Sequence, residues 1–368
     1  MPRGRLTLEF PLYMDRSARR FLEELLRIPA PSGYEGAAQD LWRSYVSKFA
    51  GKVERDVHGN QYTTIEGRSQ RGLILVGHID EIGLIVQYID DDGFIFVRAV
   101  GGVDVSILPS HRVRIAGRSG HVPGVIGKRA FHLRERDGEE KPPRIDDLYI
   151  DIGATKKAEA AARVEIGDPV VFGGDFEPLG GEFATARNFD NRMGCFAVAE
   201  TLRRLSAGRK KPGYSIHGVS SVQEETGLWG AGNIASHLRP AAAVAIDVTH
   251  DTHHPSVKRQ RHGDIRCGAG PVLTRGVRSS KPLFEQIRSV AKKAKIPFQV
   301  ETDQGHTHTD ADPISTRDAG TPVAVLSVPC RYMHTSCEVI HLGDLEKAVD
   351  LLVALCLRLN PEQSLLPA

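Results

Sequence analysis

The chain has 368 residues, of which 40% are hydrophobic and 26% are charged, and its formal net charge is +2. This composition indicates a soluble globular protein with one large domain or two ordinary ones. Basic residues are scattered rather than arranged in a stripe with aromatic residues, so nucleic-acid binding is not expected. No apolar run has the length of a membrane span, so membrane insertion is not expected either.

The cysteines and the amino terminus favour a cytoplasmic location. The five cysteines are odd in number and dispersed along the chain, which argues against a disulfide framework. Residues 1–17 lack the apolar stretch of a secretory signal. Cys330 and Cys337 flank His334, but their spacing fits no paired-cysteine zinc pattern. Both are therefore expected to be buried free thiols.

Helices open the chain, and an apolar strand follows them. Residues 17–28 carry apolar side chains at helical spacing, which predicts a helix with one buried face. Ser32 and Glu35 have the form of a capping box at the start of a second helix. A strand with a near-continuous apolar run comes next, and it ends at His78 and Asp80.

The residue pattern of the sequence changes over residues 82–174. Short runs rich in valine and isoleucine alternate there with glycine, proline and aspartate turns, which predicts a small inserted β-barrel or sandwich. From residue 191 onward, helices and strands alternate. That alternation predicts a largely parallel sheet with helices on both faces.

Acidic and imidazole side chains recur where the predicted strands end or a helix begins. These residues are His78, Asp80, Asp190, Glu224, Glu225, Asp247 and His334. Open α/β sheets bind ligands at the carboxyl ends of their strands. Each residue alone has an ordinary structural explanation, since Asp190, for example, could cap its helix. As a set they predict a centre for two divalent metal ions, and zinc fits this ligand chemistry best.

Six motifs in the chain resemble the M42 family of metallo-aminopeptidases, also called tetrahedral (TET) aminopeptidases. In chain order they are GHIDEIGLIV, YIDIGATKKAEA, FDNRMG, VQEETGLWGA, AIDVTHD and VPCRYMHTSCEVI. The resemblance runs from about residue 20 to residue 357. A single pair such as two adjacent glutamates would be a weak signal, whereas the ordered combination is highly specific.

The resemblance implies a fold and an assembly. The fold is a three-layer α/β/α catalytic domain with a mostly parallel central sheet, formed by residues 1–81 and 175–368. Residues 82–174 would form an inserted β-barrel domain that serves dimerisation. Apolar positions of this segment, such as Val103 and Leu108, are expected in the barrel core or in an interface. The dimers would assemble into a tetrahedral dodecamer that admits peptides.

The resemblance also implies a role for each candidate ligand. Asp190 would bridge two divalent metal ions, with zinc expected and cobalt as the alternative. His78 and Asp247 would complete one metal site, and Glu225 and His334 would complete the other.

The implied reaction is removal of the N-terminal residue from a peptide. Asp80 would orient His78, and Glu224 would be the general base that takes a proton from water. Successive side chains of a strand point to opposite faces. A strand that breaks into the turn ETGLWG, which begins at Glu225, allows both glutamates to approach one centre, where the cations offset their repulsion.

The chain departs from the family pattern at two places. The family usually has two aspartates where this chain has Asp190 followed by Asn191, and bridging is expected to survive because the bridging residue is the first. The segment GHTHTDADPI is richer in histidine than the family pattern. His306 and His308 are expected to be surface-loop residues, with contact to substrate or to a further metal as the alternative.

Three other functions stay open from the residues. A metal-dependent deacylase would act on N-acyl substrates instead of free amino termini. A glycoside hydrolase would use Glu224 and Glu225 without metal, but it would leave His78, Asp247 and His334 without a role. A non-catalytic scaffold would bind no metal.

Overall fold

The structure is a computed structural model that describes residues 14–118, 120–133, 142–255 and 257–366. Its α-helices are α1 (Arg16–Arg27), α2 (Gly36–Val46), α3 (Lys157–Ala161), α4 (Phe189–Ala207), α5 (Trp229–Leu238), α6 (Arg259–His262), α7 (Lys281–Ala294), α8 (Ala311–Thr316) and α9 (Leu342–Arg358). Its strands are β1 (Glu54–Arg55), β2 (Gln61–Ile65), β3 (Gly72–His78), β4 (Gly83–Ile89), β5 (Ile95–Val100), β6 (Arg112–Gly117), β7 (Gly120–Ile126), β8 (Tyr149–Asp151), β9 (Pro169–Phe172), β10 (Glu177–Gly180), β11 (Phe183–Ala186), β12 (Ser215–Ser221), β13 (Ala242–His250), β14 (Val272–Thr274), β15 (Gln299–Glu301), β16 (Val323–Arg331) and β17 (Glu338–His341).

A large mixed sheet forms the centre of the molecule. Its main strand order is β1-β2-β12-β3-β13-β16-β17-β11-β10, and β14 pairs with β15 and β16. The four central strands β12, β3, β13 and β16 are parallel, whereas the flanking pairs of that order are antiparallel. Because parallel strands end at one edge of a sheet, the carboxyl ends of β3, β12, β13 and β16 lie next to one another.

Helices cover both faces of the sheet. On β3, Leu73 and Leu75 join the core formed with α1, α2, α4, α7 and α9, whereas Ile74 and Val76 join the core formed with α5 and α8. This alternation follows from the period of two in a β-strand. The predicted α/β fold with helices on both faces is therefore confirmed.

A second unit is a closed antiparallel barrel with strand order β4-β5-β8-β7-β6-β9. Its strands all lie between residues 82 and 174, and its core consists mainly of valine, isoleucine and leucine. Leu108 is buried in that core, while Val103 and Val105 are partly buried against it. Val100 and Ile107 are half-buried.

The amphipathic helix predicted near the amino terminus is present as α1, and its apolar face is buried. The predicted capping box is wrong. The Ser32 hydroxyl donates to Asp80 Oδ2 at 2.6 Å, and Glu35 Oε1 accepts the backbone N–H groups of Gly33 and Gln223. A buried carboxylate and a distant turn compete for these side chains, so α2 begins at Gly36 without a side-chain cap.

The five cysteines are free. Cys330 is buried as expected, but Cys337 is exposed, so the expectation of burial was wrong for that residue. Cys337 lies in the connection that follows β16, outside the apolar run that buries Cys330. Within the described ranges, no helix combines the length and the apolar character needed to cross a bilayer.

Candidate active site

The sheet edge brings the predicted site residues together. His78 is the last residue of β3 and pairs in register with Ser221, the last residue of β12. Glu224 and Glu225 follow in a turn in which Gln223 and Leu228 have left-handed backbones, with φ of 56° and 59°. These two conformations take the chain out of the strand pleat, so the neighbouring glutamates can face one centre.

Two groups of ligand atoms share Asp190. One group consists of His78, Asp190 and Asp247, and the other of Asp190, Glu225 and His334; within each, the atoms lie within 4.8 Å of one another. Asp190 Oδ1 is 3.2 Å from His78 Nε2, and Asp190 Oδ2 is 3.3 Å from His334 Nε2. The two oxygens of one carboxylate thus face two different imidazoles.

Glu224 lies beside this shared centre. Its Oε2 is 3.7 Å from His78 Nε2, and Glu225 Oε2 is 3.4 Å from His334 Nε2. His78, Glu224 and Glu225 also form a third group of close ligand atoms. Either glutamate could therefore ligate a metal ion. Of the two, Glu225 is the one that lies beside the imidazole of His334.

The start of α4 gives Asp190 its position. Asp190 and Asn191 depart from helical geometry, and the peptide bond between them is cis. The side chain of Asn191 donates to the carbonyl of Ile246 at 2.8 Å and accepts the N–H of Gly194 at 3.0 Å. Asn191 uses its amide as both donor and acceptor. It thereby fixes the start of α4, where Asp190 lies, against β13, where Asp247 lies. The carboxylate of Asp190 faces the imidazoles instead of capping the helix.

Glu338 is a site residue that sequence reasoning missed. Its carboxylate accepts the backbone N–H of Asp190 at 2.9 Å and that of His334 at 3.0 Å. His334 has a left-handed backbone with φ of 61°, and its Nδ1 lies 3.1 Å from the carbonyl of Gly102. The only sequence signal for Glu338 is a charged residue directly before the apolar pair Val339 and Ile340 in a short strand.

Burial and mutual proximity shift the pKa values of the acidic and imidazole side chains at this sheet edge. Burial raises the pKa of Glu224 and of Asp247 well above their usual values, and neighbouring carboxylates add to the shift. Burial also acts to raise the pKa of Asp190, but hydrogen bonds to His334 and His78 outweigh it and hold that pKa below its usual value. Burial lowers the pKa of His334, whereas Asp190 and Glu225 raise it more strongly, to about 11.

The donor chemistry of the cluster fits divalent cations. Imidazole nitrogens and carboxylate oxygens are the usual ligands of zinc and related ions. Several carboxylates crowded into a buried place are costly without a compensating cation, since burial disfavours the charged form. His78, Asp190, Glu225, Asp247 and His334 are the residues that could hold such ions.

A cavity of about 480 Å³ opens above the cluster. Six acidic and imidazole side chains line it: His78, Asp190, Glu224, Glu225, Asp247 and His334. The rest of the lining is the end of β13 (Val248, Thr249 and His250), residues 307–309, Gly102, Gly227, Leu228 and Met333. His306 and His308 are both exposed and lie in the loop before α8, as expected, with 69% of the His306 side chain exposed. His308 also lines this cavity.

Comparisons with known proteins agree with the fold. The chain is 32% identical over 344 residues to the lysyl aminopeptidase of Pyrococcus furiosus, covering 92% of this chain and 97% of that protein. A TET aminopeptidase from a marine sediment Thaumarchaeota archaeon has a TM-score of 0.90 and 31% identity, covering 94% of this chain and 97% of that one. The TET1 peptidase of Pyrococcus horikoshii, described as assembling into a tetrahedron or a large octahedral shell, has a TM-score of 0.83 and 32% identity, covering 93% and 100%.

The M42 glutamyl aminopeptidase family matches residues 59–351, which is most of the chain. That range contains the sheet edge, the shared carboxylate and the cavity described above. The chain therefore belongs to the M42 family and is a metal-dependent aminopeptidase.

Proposed function

We propose that the protein is a co-catalytic two-metal aminopeptidase that removes the N-terminal residue of peptides, with Glu224 as general base. The observation that carries the proposal is the position of Asp190, whose two oxygens face His78 and His334 at 3.2 and 3.3 Å. One carboxylate between two sets of ligands is what a pair of closely spaced metal ions requires.

The ligands divide into two sets around Asp190. His78 and Asp247 complete one set, and Glu225 and His334 complete the other. A pair of divalent ions, zinc by its ligand preference, would polarise the scissile carbonyl and lower the pKa of water when bound there. Glu224 is left outside both sets, although its carboxylate is close to His78.

Glu224 is suited to proton transfer by its surroundings. It is buried, and burial together with the charges of Asp247, Asp310 and Glu225 raises its pKa, so its carboxylate holds a proton more tightly than an exposed glutamate. It takes a proton from the attacking water and gives it to the leaving amine. Asp80 positions His78 and Glu224, because it contacts the imidazole of one and accepts the backbone N–H of the other.

The carboxylate cluster also favours a free amino terminus. A positively charged α-ammonium group entering the cavity meets the carboxylate of Glu224, which lines it and is outside both ligand sets. An N-acylated substrate has no such charge. This complementarity favours an exopeptidase over a deacylase that would act on N-acyl groups.

Self-association is part of the proposal. Residues 82–174 form the dimerisation domain, and the dimers assemble into a dodecamer in the cytoplasm. The barrel exposes large apolar side chains, including Tyr88 at 49% and Val125 at 46% exposure, which supports contact with a second copy because interface cores are rich in such residues. Light scattering should give a mass near that of a dodecamer, and a monomer would contradict this part.

Hydrolysis assays on matched substrates test the reaction itself. The metal-loaded protein should release 4-nitroaniline from an aminoacyl nitroanilide and leave the N-acetylated form intact. Chelation should abolish the activity, and adding zinc or cobalt should restore it. Release of acetate from the N-acetylated form, with no nitroaniline from either form, would support a deacylase, and chelator-resistant cleavage of a glycoside would support a glycosidase.

A further inference from the structure

The two ligand sets around Asp190 differ in what orients their histidine. The Nδ1 of His78 lies 3.3 Å from the carbonyl oxygen of Asp80, two residues further along the chain, so this partner belongs to the same sheet edge. The Nδ1 of His334 lies 3.1 Å from the carbonyl oxygen of Gly102. Gly102 follows β5 of the inserted barrel and is 232 residues away from His334 in the chain. A barrel residue therefore contacts a ligand that the large sheet carries.

The contact with Gly102 determines which nitrogen of His334 is free to bind a metal ion. A carbonyl oxygen can only accept, so Nδ1 carries the hydrogen of this bond. The other nitrogen, Nε2, lies 3.3 Å from Asp190 Oδ2 and 3.4 Å from Glu225 Oε2. With the hydrogen on Nδ1, the lone pair of a neutral His334 is on Nε2, the atom that faces both carboxylates.

The barrel loop after β5 also packs closely on the set that contains Glu225 and His334. A Cβ atom at Gly102 would be 3.0 Å from Nδ1 and 3.2 Å from Cε1 of His334, closer than side chains normally approach. At the neighbouring Gly101, whose φ is 78°, a Cβ atom would be 3.3 Å from that of Glu225. Glycine at both positions allows the barrel backbone to lie directly against these two ligands.

A further barrel residue contacts the loop that carries His334. The Nε2 of His111, which lies directly before β6, is 2.8 Å from the hydroxyl oxygen of Ser336. The imidazole of His111 packs edge-on against the ring of Phe172 in β9, with ring centroids 5.9 Å apart. Ser336 is two residues from His334, so the barrel contacts both the imidazole of this ligand and the loop that carries it.

The other ligand set depends on the large sheet instead. Within the described ranges, His78 has hydrogen bonds or ion pairs with Asp80, Asp190, Glu224 and Asp247. None of these partners lies between residues 82 and 174. One metal site would therefore be built by the sheet, and the other by the sheet and the barrel together.

We propose that the inserted barrel is a structural part of one metal site, because the carbonyl of Gly102 positions His334 and thereby sets the metal affinity of that site alone. The inference rests on the proposed function, which assigns Glu225 and His334 to one of two metal sites. Gly102 and His111 are positioning residues, since both act through His334. Outer partners of metal-binding histidines usually contribute about 10–100-fold to metal affinity.

Calorimetric titration of the metal-free protein with zinc tests this role by adding one methyl group at two barrel positions. Gly102 does not have a left-handed backbone, so Gly102→Ala changes only the space beside His334. It should lower the affinity of one zinc site about 10–100-fold and leave the other unchanged. Gly127→Ala is the matched control and should change neither site, because its Cβ atom would be 3.5 Å from Cε2 of Tyr149, an ordinary contact distance.

A double variant tests whether the affected site is the one that contains His334. The His334→Ala protein keeps only the set that contains His78, and adding Gly102→Ala should not change its remaining zinc affinity. Two changes that act on one site in this way are not additive. A further loss in the double variant, or an equal loss at both sites in Gly102→Ala, would mean that the methyl group disturbs the whole fold and would overturn the proposal.

The contact between His111 and Ser336 provides an independent pair of variants. His111→Ala and Ser336→Ala should each lower the same zinc affinity about 2–10-fold, as expected for one hydrogen bond. The double variant should lose little more than either alone. His121→Ala removes an exposed histidine from β7 and should have no effect. Losses that add fully would show that the two side chains act separately and would overturn the role of His111.

The number of bound ions separates this inference from the proposed function. An unsubstituted protein that binds a single zinc ion would contradict the two-metal function itself. If the unsubstituted protein binds two zinc ions and Gly102→Ala cannot be distinguished from Gly127→Ala, the role of the barrel is overturned and the two-metal function is not.

Discussion

The carboxylate of Asp80 accepts the backbone N–H of Glu224, with Oδ1 3.1 Å from the nitrogen. Its other oxygen accepts the N–H of Glu225 at 3.1 Å, and Oδ1 also lies 3.4 Å from Nδ1 of His78. One fully buried side chain therefore connects the end of β3 with the turn that follows β12. The position of the proposed base and the orientation of a proposed ligand depend on the same carboxylate.

Replacing this carboxylate by an amide should weaken the metal centre. Asp80→Asn keeps the size of the side chain but removes the charge and one acceptor, and metal affinity should fall about 10–100-fold, as is usual for partners of ligating histidines. Calorimetric titration with zinc measures the change. Ser32→Ala removes only the hydroxyl that donates to Asp80, so its effect should be smaller. An Asp80→Asn protein with unchanged affinity would contradict this positioning role.

Substitutions of the two neighbouring glutamates should have different effects on metal binding and on turnover. Glu224→Gln should keep its metal while kcat falls about 10²–10⁴-fold, the usual contribution of a general base. Glu225→Gln should lose metal from the set that contains His334. Elemental analysis and steady-state rates on both variants distinguish the roles. The reverse pattern would exchange the assignments of Glu224 and Glu225.

Most of the proposed centre could be predicted from the sequence because it depends on strand ends. His78 and Asp247 terminate or nearly terminate apolar strands, and parallel strands bring their carboxyl ends to one edge. Glu338 could not be predicted, because its role depends on the left-handed backbone of His334, four residues away. The capping box predicted at Ser32 is wrong for a related reason, because the Ser32 hydroxyl contacts Asp80, which is 48 residues away in the chain.

Metal binding should release protons, and it should strengthen as pH rises. In the chelated protein, burial lowers the pKa of both imidazoles, but neighbouring carboxylates outweigh it. They raise the pKa of His334 to about 11 and that of His78 well above its usual value. Raised pKa values favour the protonated imidazoles, and a metal ion must displace that proton to bind the nitrogen. Titrations in buffers of different ionisation enthalpy measure the protons released. A heat of binding independent of the buffer would contradict these shifts.

A buried ion-pair cluster next to Asp80 should matter for stability. Glu81 contacts the guanidinium groups of Arg187 and Arg192 at 2.9 and 3.2 Å, and all three side chains are at most 3% exposed. Glu81→Gln removes the ion pair of Arg192 and leaves Arg187 with only its longer contact to Asp175 at 3.4 Å, so the free energy of unfolding should fall by about 3–5 kcal/mol. Urea denaturation measures the loss.

An exposed pair provides the control for Glu81. Glu24 pairs with Arg20 on the surface of α1 at 2.8 Å, with 41% and 81% of the two side chains exposed. Glu24→Gln should leave the free energy of unfolding nearly unchanged, because solvent screens surface pairs. If Glu81→Gln and Glu24→Gln lowered the free energy of unfolding equally, burial would not be the reason that Glu81 stabilises the fold.

The metal content of purified variants is the most direct test of a centre shared through Asp190. After loading with zinc and removal of excess metal, the unsubstituted protein should hold about two ions per chain. His334→Ala should hold about one, because it disrupts one set of ligands and leaves the other with Asp190 and His78. Asp190→Ala should hold almost none, since it removes a ligand from both sets. Equal metal content in Asp190→Ala and His334→Ala would contradict a shared carboxylate and with it the two-metal account.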